Sequence, residues 1–502
     1  PTIKIEPRES LALILTAGAF FHHKFSVQVS ILYMHRINVE KENCSSDSKY
    51  LLKFQRSKKI NFTILNVLLF LQLNSPHGYL FQDKCDNFIK VLIKRNENTL
   101  FVCGTNALNP TCRDYKADTL VPAGDIINGR GRCPYDPMDD NIALFADDQL
   151  YSATVTDFMR EDPIIYRSLG NNQNLRTVKQ DSKWLKSDHS VPWVQTEIQK
   201  FFDILPTVAR VCKNDMGGTI SVLEKQWTSF LKARLICAVH DNTTFYFNII
   251  QAVSNVIHIK GQDLILGLFS TPHNSIPGSA LCAFRMLEIN QVFSGAFKEQ
   301  QSSTSVWKAV PDDKVPTPRP GACAGHGLLA EYSSSNEFPD GTLEFMRTHS
   351  LMDELIEPST KHPFFLWTLD RDFLVTLAVD NSAGPKGDHT IVFAASENGI
   401  LLKILAWKYD NGVIEDSIFL EEMNVFDFDK CRYRNLGDKR ILALQLDKPN
   451  GALYAAFPNC VIRVPLGSCQ RHGSCKRACI ASRDPYCGWA NESCVYLPPG
   501  TT

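Results

Sequence analysis

Cysteine is the reactive side chain that dominates this sequence: sixteen in 502 residues, five of them between Cys469 and Cys494. Dense thiols have two main fates, oxidation to disulfides in a secreted protein or capture of zinc. Structural zinc favours Cys-x2-Cys pairs, which bring two thiolates to one tetrahedral ion. In the C-terminal cluster five, three, seven and six residues separate successive cysteines, and no Cys-x2-Cys occurs anywhere. The pattern reads as a disulfide framework in an oxidising compartment, with no metal site. Acceptor sequons at Asn43, Asn61, Asn242 and Asn491 agree with secretion.

Other candidate chemistry fails on its context. Asp136-Pro-Met-Asp-Asp140, Asp147-Asp148 and Asp427-Phe-Asp429 are acidic clusters that paired in space could cleave glycosides or hold Ca2+. Aspartate that forms turns is the commoner explanation. Gly325-His-Gly-Leu-Leu-Ala330 spells a dinucleotide fingerprint, yet it follows a proline-rich loop and Cys323 where the motif needs a strand. No nucleophile elbow, zinc-protease helix or phosphate loop is present, so the sequence predicts no catalytic residue and no cofactor.

Lys+Arg 53 against Asp+Glu 54 leaves a formal charge of -1, which gives no field to gather a polyanion and argues against nucleic acid as a partner. The longest apolar runs, Leu11 to Phe21 and Val67 to Leu73, fall short of the ~18 residues a membrane helix needs.

From about residue 85 the texture is all-β. Thr99-Leu-Phe-Val-Cys103, Ile142-Ala-Leu-Phe145, Leu150-Tyr-Ser-Ala-Thr-Val155 and Phe245-Tyr-Phe-Asn-Ile-Ile250 are short apolar runs closed by turn residues. Two hairpins stand out. In one, Asn398-Gly399 joins Ile391–Ala395 to Ile400–Leu405; in the other, Asn450-Gly451 joins Ile441–Leu446 to Ala452–Phe457. Asn-Gly supplies the positive φ angles that a tight hairpin requires. Many short strands over some four hundred residues fit a propeller better than a sandwich or a parallel α/β fold, although no fixed repeat period is visible. From about 279 to 354 the rhythm breaks. Helix-like segments at Met286–Phe293 and Thr342–Met352 flank the proline-rich Val315-Pro-Thr-Pro-Arg-Pro320, which reads as an insertion for binding or assembly, or as a packed decoration.

Six ordered landmarks then resemble the sema domain and the following plexin–semaphorin–integrin (PSI) module of the semaphorin family. They are Cys103-Gly-Thr-Asn-Ala-Leu-Asn-Pro-Thr-Cys112, Gly129-Arg-Gly-Arg-Cys-Pro-Tyr-Asp136, Cys212-Lys-Asn-Asp-Met-Gly-Gly218, Trp227-Thr-Ser-Phe-Leu-Lys-Ala-Arg234, Pro316-Thr-Pro-Arg-Pro-Gly321 and Arg483-Asp-Pro-Tyr-Cys-Gly-Trp489. Leu150-Tyr-Ser-Ala-Thr-Val-Thr-Asp157, Leu175-Arg-Thr-Val-Lys-Gln-Asp-Ser182 and Leu223-Glu-Lys-Gln226 resemble the transmembrane class 6 members in particular.

The resemblance implies a seven-bladed β-propeller over residues 83–466, an inserted extrusion at about 279–354, and a disulfide-rich PSI module over 467–502. It implies a non-catalytic extracellular ligand, secreted or displayed on the plasma membrane, that binds plexin receptors, class A most of all, as a homodimer. Axon guidance and cell migration would be the processes it serves, and its membrane span would lie downstream of this chain. By position, Cys103 would pair with Cys112, Cys431 with Cys460, Cys469 with Cys487 and Cys479 with Cys494. Cys212–Cys323 and Cys237–Cys282 would tie the extrusion to the propeller. Cys475 would pair beyond residue 502, and Cys133 would stay buried and unpaired. Lys213, Asp215, Glu224, Lys225 and Gln226 are the candidates for receptor contact, Val292 and Phe293 for the dimer contact, and Asn242 and Asn491 for glycosylation.

Two stretches depart from the family. Residues 1–82 stand where a first blade is expected, show no clear β rhythm, and leave Cys85 unpaired or with Cys44. The family's aromatic strand is also missing from about 187–206, which bears on receptor affinity. The alternatives are a plexin-like or growth-factor-receptor-like sema-domain receptor, a propeller hydrolase, or a ring that the altered first blade leaves open.

Overall fold

A computed structural model of the chain describes residues 2–5, 11–16, 87–137, 139, 141–157, 162–178, 206–272, 275–300, 305–368, 372–410, 413–431, 439–457, 460–472 and 475–501. Cys44, Cys85, Asn43, Asn61 and the stretch 187–205 lie outside these residues.

The described chain is all-β and propeller-like, with five antiparallel sheets of four or more strands and a sixth of three. Three are simple meanders: Ile89–Asn96 to Pro122–Asn128, Ile142–Ala146 to Leu175–Arg176, and Leu374–Ala383 to Val413–Asn424. The first strands of the sheets face one another. Leu374–Ala383 packs on Ile249–Val253 and on Ala443–Asp447, and Ile89–Asn96 packs on Ile142–Ala146. Inner strand against inner strand is what radial stacking of sheets produces, and it shields the edges that would otherwise pair with other chains.

Both Asn-Gly hairpins form. Ala395 pairs with Leu401 across a turn whose Gly399 has φ +85°, and Asp447 pairs with Ala452 across Gly451 at +57°. The run 245–250 is two strands rather than one. Thr244–Tyr246 pairs back on Ala238–His240, Phe247 donates to the Cys237 carbonyl, and Ile249–Val253 begins the next sheet. At the N-terminus, Thr2–Ile5 and Leu11–Thr16 are strands that extend the sheet of Thr207–Cys212 and Leu231–Arg234, although this stretch carries no clear β rhythm.

The insertion has different limits from those expected. Ser279–Arg285 is a strand of the five-stranded sheet that Ile249–Val253 begins, and Phe365–Trp367 pairs directly beside it, so the excursion runs over 286–364. Its first helix, Met286–Ser294, buries Met286, Ile289, Val292 and Phe293 on one face. Its second, Asp340–Thr348, opens after Pro339 and stops before Leu351, because Leu351 and Met352 leave the helix to bridge Lys232 and Phe297. The return segment lies along Leu231–Arg234. Lys232 donates to the Ser350 carbonyl, and Met352 and Ile356 donate to the carbonyls of Lys232 and Arg234. The excursion and that sheet thus share one core, with Phe293, Phe297, Leu343, Met346 and Ile356 packed with Leu231, Ala233 and Phe269.

Candidate functional site

The chain between Thr207–Cys212 and Leu231–Arg234 carries every candidate for receptor contact, and its conformation is set by buried polar groups. Cys212 is disulfide-bonded to Cys323, which fixes one end to the excursion. At the other end Trp227 donates its indole N–H to the Ile165 carbonyl at 3.0 Å and stacks on Tyr151 with ring centroids 6.3 Å apart. Gly217 takes φ +82°, and a Cβ on Gly218 would stand 2.2 Å from the Val222 oxygen, so the Gly-Gly pair is required for this tight loop.

Arg167 is fully buried under this loop. Its guanidinium donates to the carbonyls of Lys213 (2.8 Å), Gln173 (2.9 Å) and Asp215 (2.5 Å), and lies 5.1 Å over the Trp227 ring. Burial draws its pKa below the usual arginine value. Asp215 is also buried, and its carboxylate is a hub. One oxygen accepts from Gly217 N and Thr228 Oγ1, and the other from Thr228 N, Ser229 N and Ser229 Oγ, at 2.6–3.0 Å. Ser335 Oγ, from the excursion, lies 3.1 Å from the first oxygen.

This geometry divides the receptor-contact candidates. Asp215 is withdrawn as a contact residue, because it is buried and its oxygens are engaged inside the loop. Lys213 is mostly covered and pairs with Asp147 at 3.0 Å, while Gln226 is half-buried. Glu224 and Lys225 are exposed, 3.5 Å apart, and Ile220 in the same loop is 90% exposed. Lys225 and Leu223 hold φ +56° and +61°, left-handed values that presuppose a firm surround. Ile220, Arg167 and Ser335 escape sequence reasoning: the last sits in Ser333-Ser-Ser335, where nothing distinguishes it.

Val292 and Phe293 are corrected as dimer contacts. Phe293 is fully buried with Arg210 4.9 Å over its ring, and Val292 is buried beside it, so neither offers a face to a second chain. Disulfides join Cys103–Cys112, Cys212–Cys323, Cys237–Cys282, Cys431–Cys460, Cys469–Cys487 and Cys479–Cys494. Cys237–Cys282 ties the segment just before strand Ala238–His240 to a sheet strand rather than to the excursion, since Cys282 lies in Ser279–Arg285. Cys133 is a buried thiol whose pKa burial pushes up, and Cys475 is an exposed one. Asn242 and Asn491 are exposed in hairpin turns.

Two of the acidic clusters have structural roles. Asp147 and Asp148 form a hairpin turn at φ +50° and +58°, and Asp427 accepts from the amides of Asp429 and Lys430. His472, Asp484 and Cys487 lie within metal-binding reach of one another. However, the Cys487 sulfur is held in a disulfide and Asp484 is paired with Lys403 at 2.5 Å. Lys403 is buried, donates also to the Leu466 carbonyl, and sits 4.7 Å over Tyr486, whose hydroxyl donates to Asp380 at 2.7 Å. This second hub seats the C-terminal disulfide cluster on the sheets.

The Sema domain family model matches residues 250–434, and the PSI model, a plexin repeat, matches 468–500. The chain is 57% identical over 434 residues to Semaphorin-6A of Mus musculus, covering 83% of this chain and 42% of that protein. It is 50% identical to human Semaphorin-6B over 84% of this chain and 49% of that one. Among solved structures, Drosophila Semaphorin 1a, extracellular domains 1-2, aligns with a TM-score of 0.68 at 32% identity, over 86% of this chain and 85% of that one. The chain belongs to the semaphorin family. Its kinship with semaphorins 6A, 6B and 6D marks it as class 6. This semaphorin chain spans less than half the length of those curated relatives. A chain from the Drosophila Plexin A complex with Semaphorin 1b also aligns, with a TM-score of 0.68 at 31% identity over 82% of this chain and 80% of that one. Plexin A4, at 16% identity, shares the fold. Among the described residues, no helix is long and apolar enough to cross a membrane.

Proposed function

We propose that this semaphorin chain is the receptor-binding part of an extracellular, non-catalytic ligand that engages a class A plexin through the rim loop 213–226. The observation that carries the reading is the loop itself. Its exposed tip, with Ile220, Glu224 and Lys225, is mounted on a buried framework, so it presents a fixed surface and loses little conformational freedom on binding. The similarity to a chain from a plexin A–semaphorin 1b complex supports the choice of partner.

The same reading takes the propeller as seven-bladed over 83–466, the PSI module as 467–502 and the working form as a homodimer. It also places the protein outside the cell, held by a downstream membrane span and acting in axon guidance and cell migration. Exposed Asn242 and Asn491 are its expected glycosylation sites. Biolayer binding of the secreted chain to a purified plexin A ectodomain tests it, with light scattering for assembly state. Saturable binding by a dimer is the expected result; a folded chain that does not bind overturns the receptor assignment.

A further inference from the structure

The excursion reaches the rim loop at four separate points. Cys323 is bonded to Cys212 at the loop's base. The Asn214 side-chain amide donates to the Ala324 carbonyl at 2.8 Å. Met216 donates its backbone N–H to Ser335 Oγ at 2.8 Å, and that hydroxyl lies 2.9 Å from the Gly217 carbonyl and 3.1 Å from the Asp215 carboxylate. Thr219 reaches Asp340 at the start of the second helix, 3.3 Å away. On its other side the loop rests on Arg167 and on the Lys213–Asp147 pair. Ser335 is 120 residues from Asp215 in sequence and almost fully buried, so its hydroxyl is committed to this junction.

We infer that the excursion sets the shape of the receptor-binding loop, with Ser335 and Asp215 as positioning residues that touch no receptor. This inference rests on the receptor-binding reading above. A Ser335→Ala change removes the acceptor of Met216 N–H and one neighbour of the Asp215 carboxylate, while Thr228 and Ser229 still satisfy that carboxylate. The chain then stays folded and the loop samples other shapes. If the binding-competent shape falls to about one tenth of the population, apparent affinity falls about tenfold.

The test uses the whole secreted chain as wild type, Ser335→Ala, Ser335→Thr and Asn214→Ala, with purified plexin A ectodomain as the probe and amide hydrogen exchange read over 213–226. Ser335→Ala should exchange faster at Met216–Gly218 and bind roughly tenfold more weakly. Ser335→Thr, which keeps the hydroxyl, should restore both. Asn214→Ala, which removes a different tie to the same excursion, should shift both in the same direction and by less. It also stands in for Ser335→Ala if that variant fails to fold. Unchanged exchange in Ser335→Ala and Asn214→Ala overturns the coupling, and faster exchange with unchanged affinity overturns its role in recognition. If the wild type itself does not bind plexin A, the receptor assignment falls, and the exchange data alone decide whether the excursion holds the loop.

Discussion

Two clusters of buried charge, Asp215 with Arg167 and Lys403 with Asp484, hold this molecule's parts together, and they do so by opposite means. Around Asp215 and Arg167 the charged groups do not pair directly. The guanidinium is met by three carbonyl oxygens and a Trp ring, and the carboxylate by amides and hydroxyls. At the PSI junction Lys403 and Asp484 meet head-on at 2.5 Å, both almost wholly out of solvent. A charge shared among many neutral partners loses support by degrees as partners are removed. A direct buried pair has a single point of failure, because deleting one member strands the other. The rim hub can therefore be tuned, whereas the junction works as a latch.

The largest effect is expected at the latch. Lys403→Met leaves Asp484 buried without its cation and should cost roughly 3–5 kcal/mol, with much of it returned by adding Asp484→Asn. Thermal unfolding of the wild type, the single and the double variant checks this; a double variant no better than the single breaks the contrast between hubs. At the rim, Asp215→Asn turns an amide N–H2 toward donors that expect an acceptor and should cost roughly 1–3 kcal/mol. No partner change is expected to rescue it, because no single partner is responsible.

The latch should also carry a signature at alkaline pH. Burial, with Asp380 and Asp484 nearby, pushes the Tyr486 phenol up from its ordinary 10.0. Above pH 10 the unfolded chain releases a proton that the folded chain keeps, so stability should fall with rising pH by about 1.4 kcal/mol per unit. Tyr486→Phe should remove one tyrosine's share of that slope, leaving the shares of the also-raised Tyr115, Tyr151 and Tyr496, in a denaturant titration at pH 10–11. The smallest effect on stability belongs to the exposed tip. Reversing Glu224 and Lys225 should change stability by no more than about 0.5 kcal/mol, since exposed pairs contribute little. It should nevertheless slow association with plexin A, measured as the on-rate at two salt concentrations.

The sequence made the hairpins legible because Asn-Gly sits at the turn and apolar runs flank it, as at Gly399 and Gly451. The propeller-like architecture was readable from strand length and from the landmark motifs. What stayed hidden depends on distance along the chain. Asp215 lies in a polar run that looks exposed, and only the approach of Thr228, Ser229 and Ser335 buries it. Val292 and Phe293 stood as dimer-contact candidates because the aromatic and arginine partners that cover them come from elsewhere in the chain. The second helix looked longer because Leu351 and Met352 continue its apolar spacing, yet a neighbouring edge strand claims them. The same pairing logic shifted the excursion, since Ser279–Arg285 is apolar enough to be a strand and has Phe365–Trp367 waiting beside it.

The central claim is that the tip of the rim loop, rather than any other face, meets the receptor. Hydrogen exchange of the full chain, alone and saturated with plexin A ectodomain, tests this most directly. The account predicts slowed exchange across 217–226, with the PSI junction at 484–486 unchanged. Protection confined to other parts of the molecule, with 217–226 exchanging as in the free chain, would contradict it.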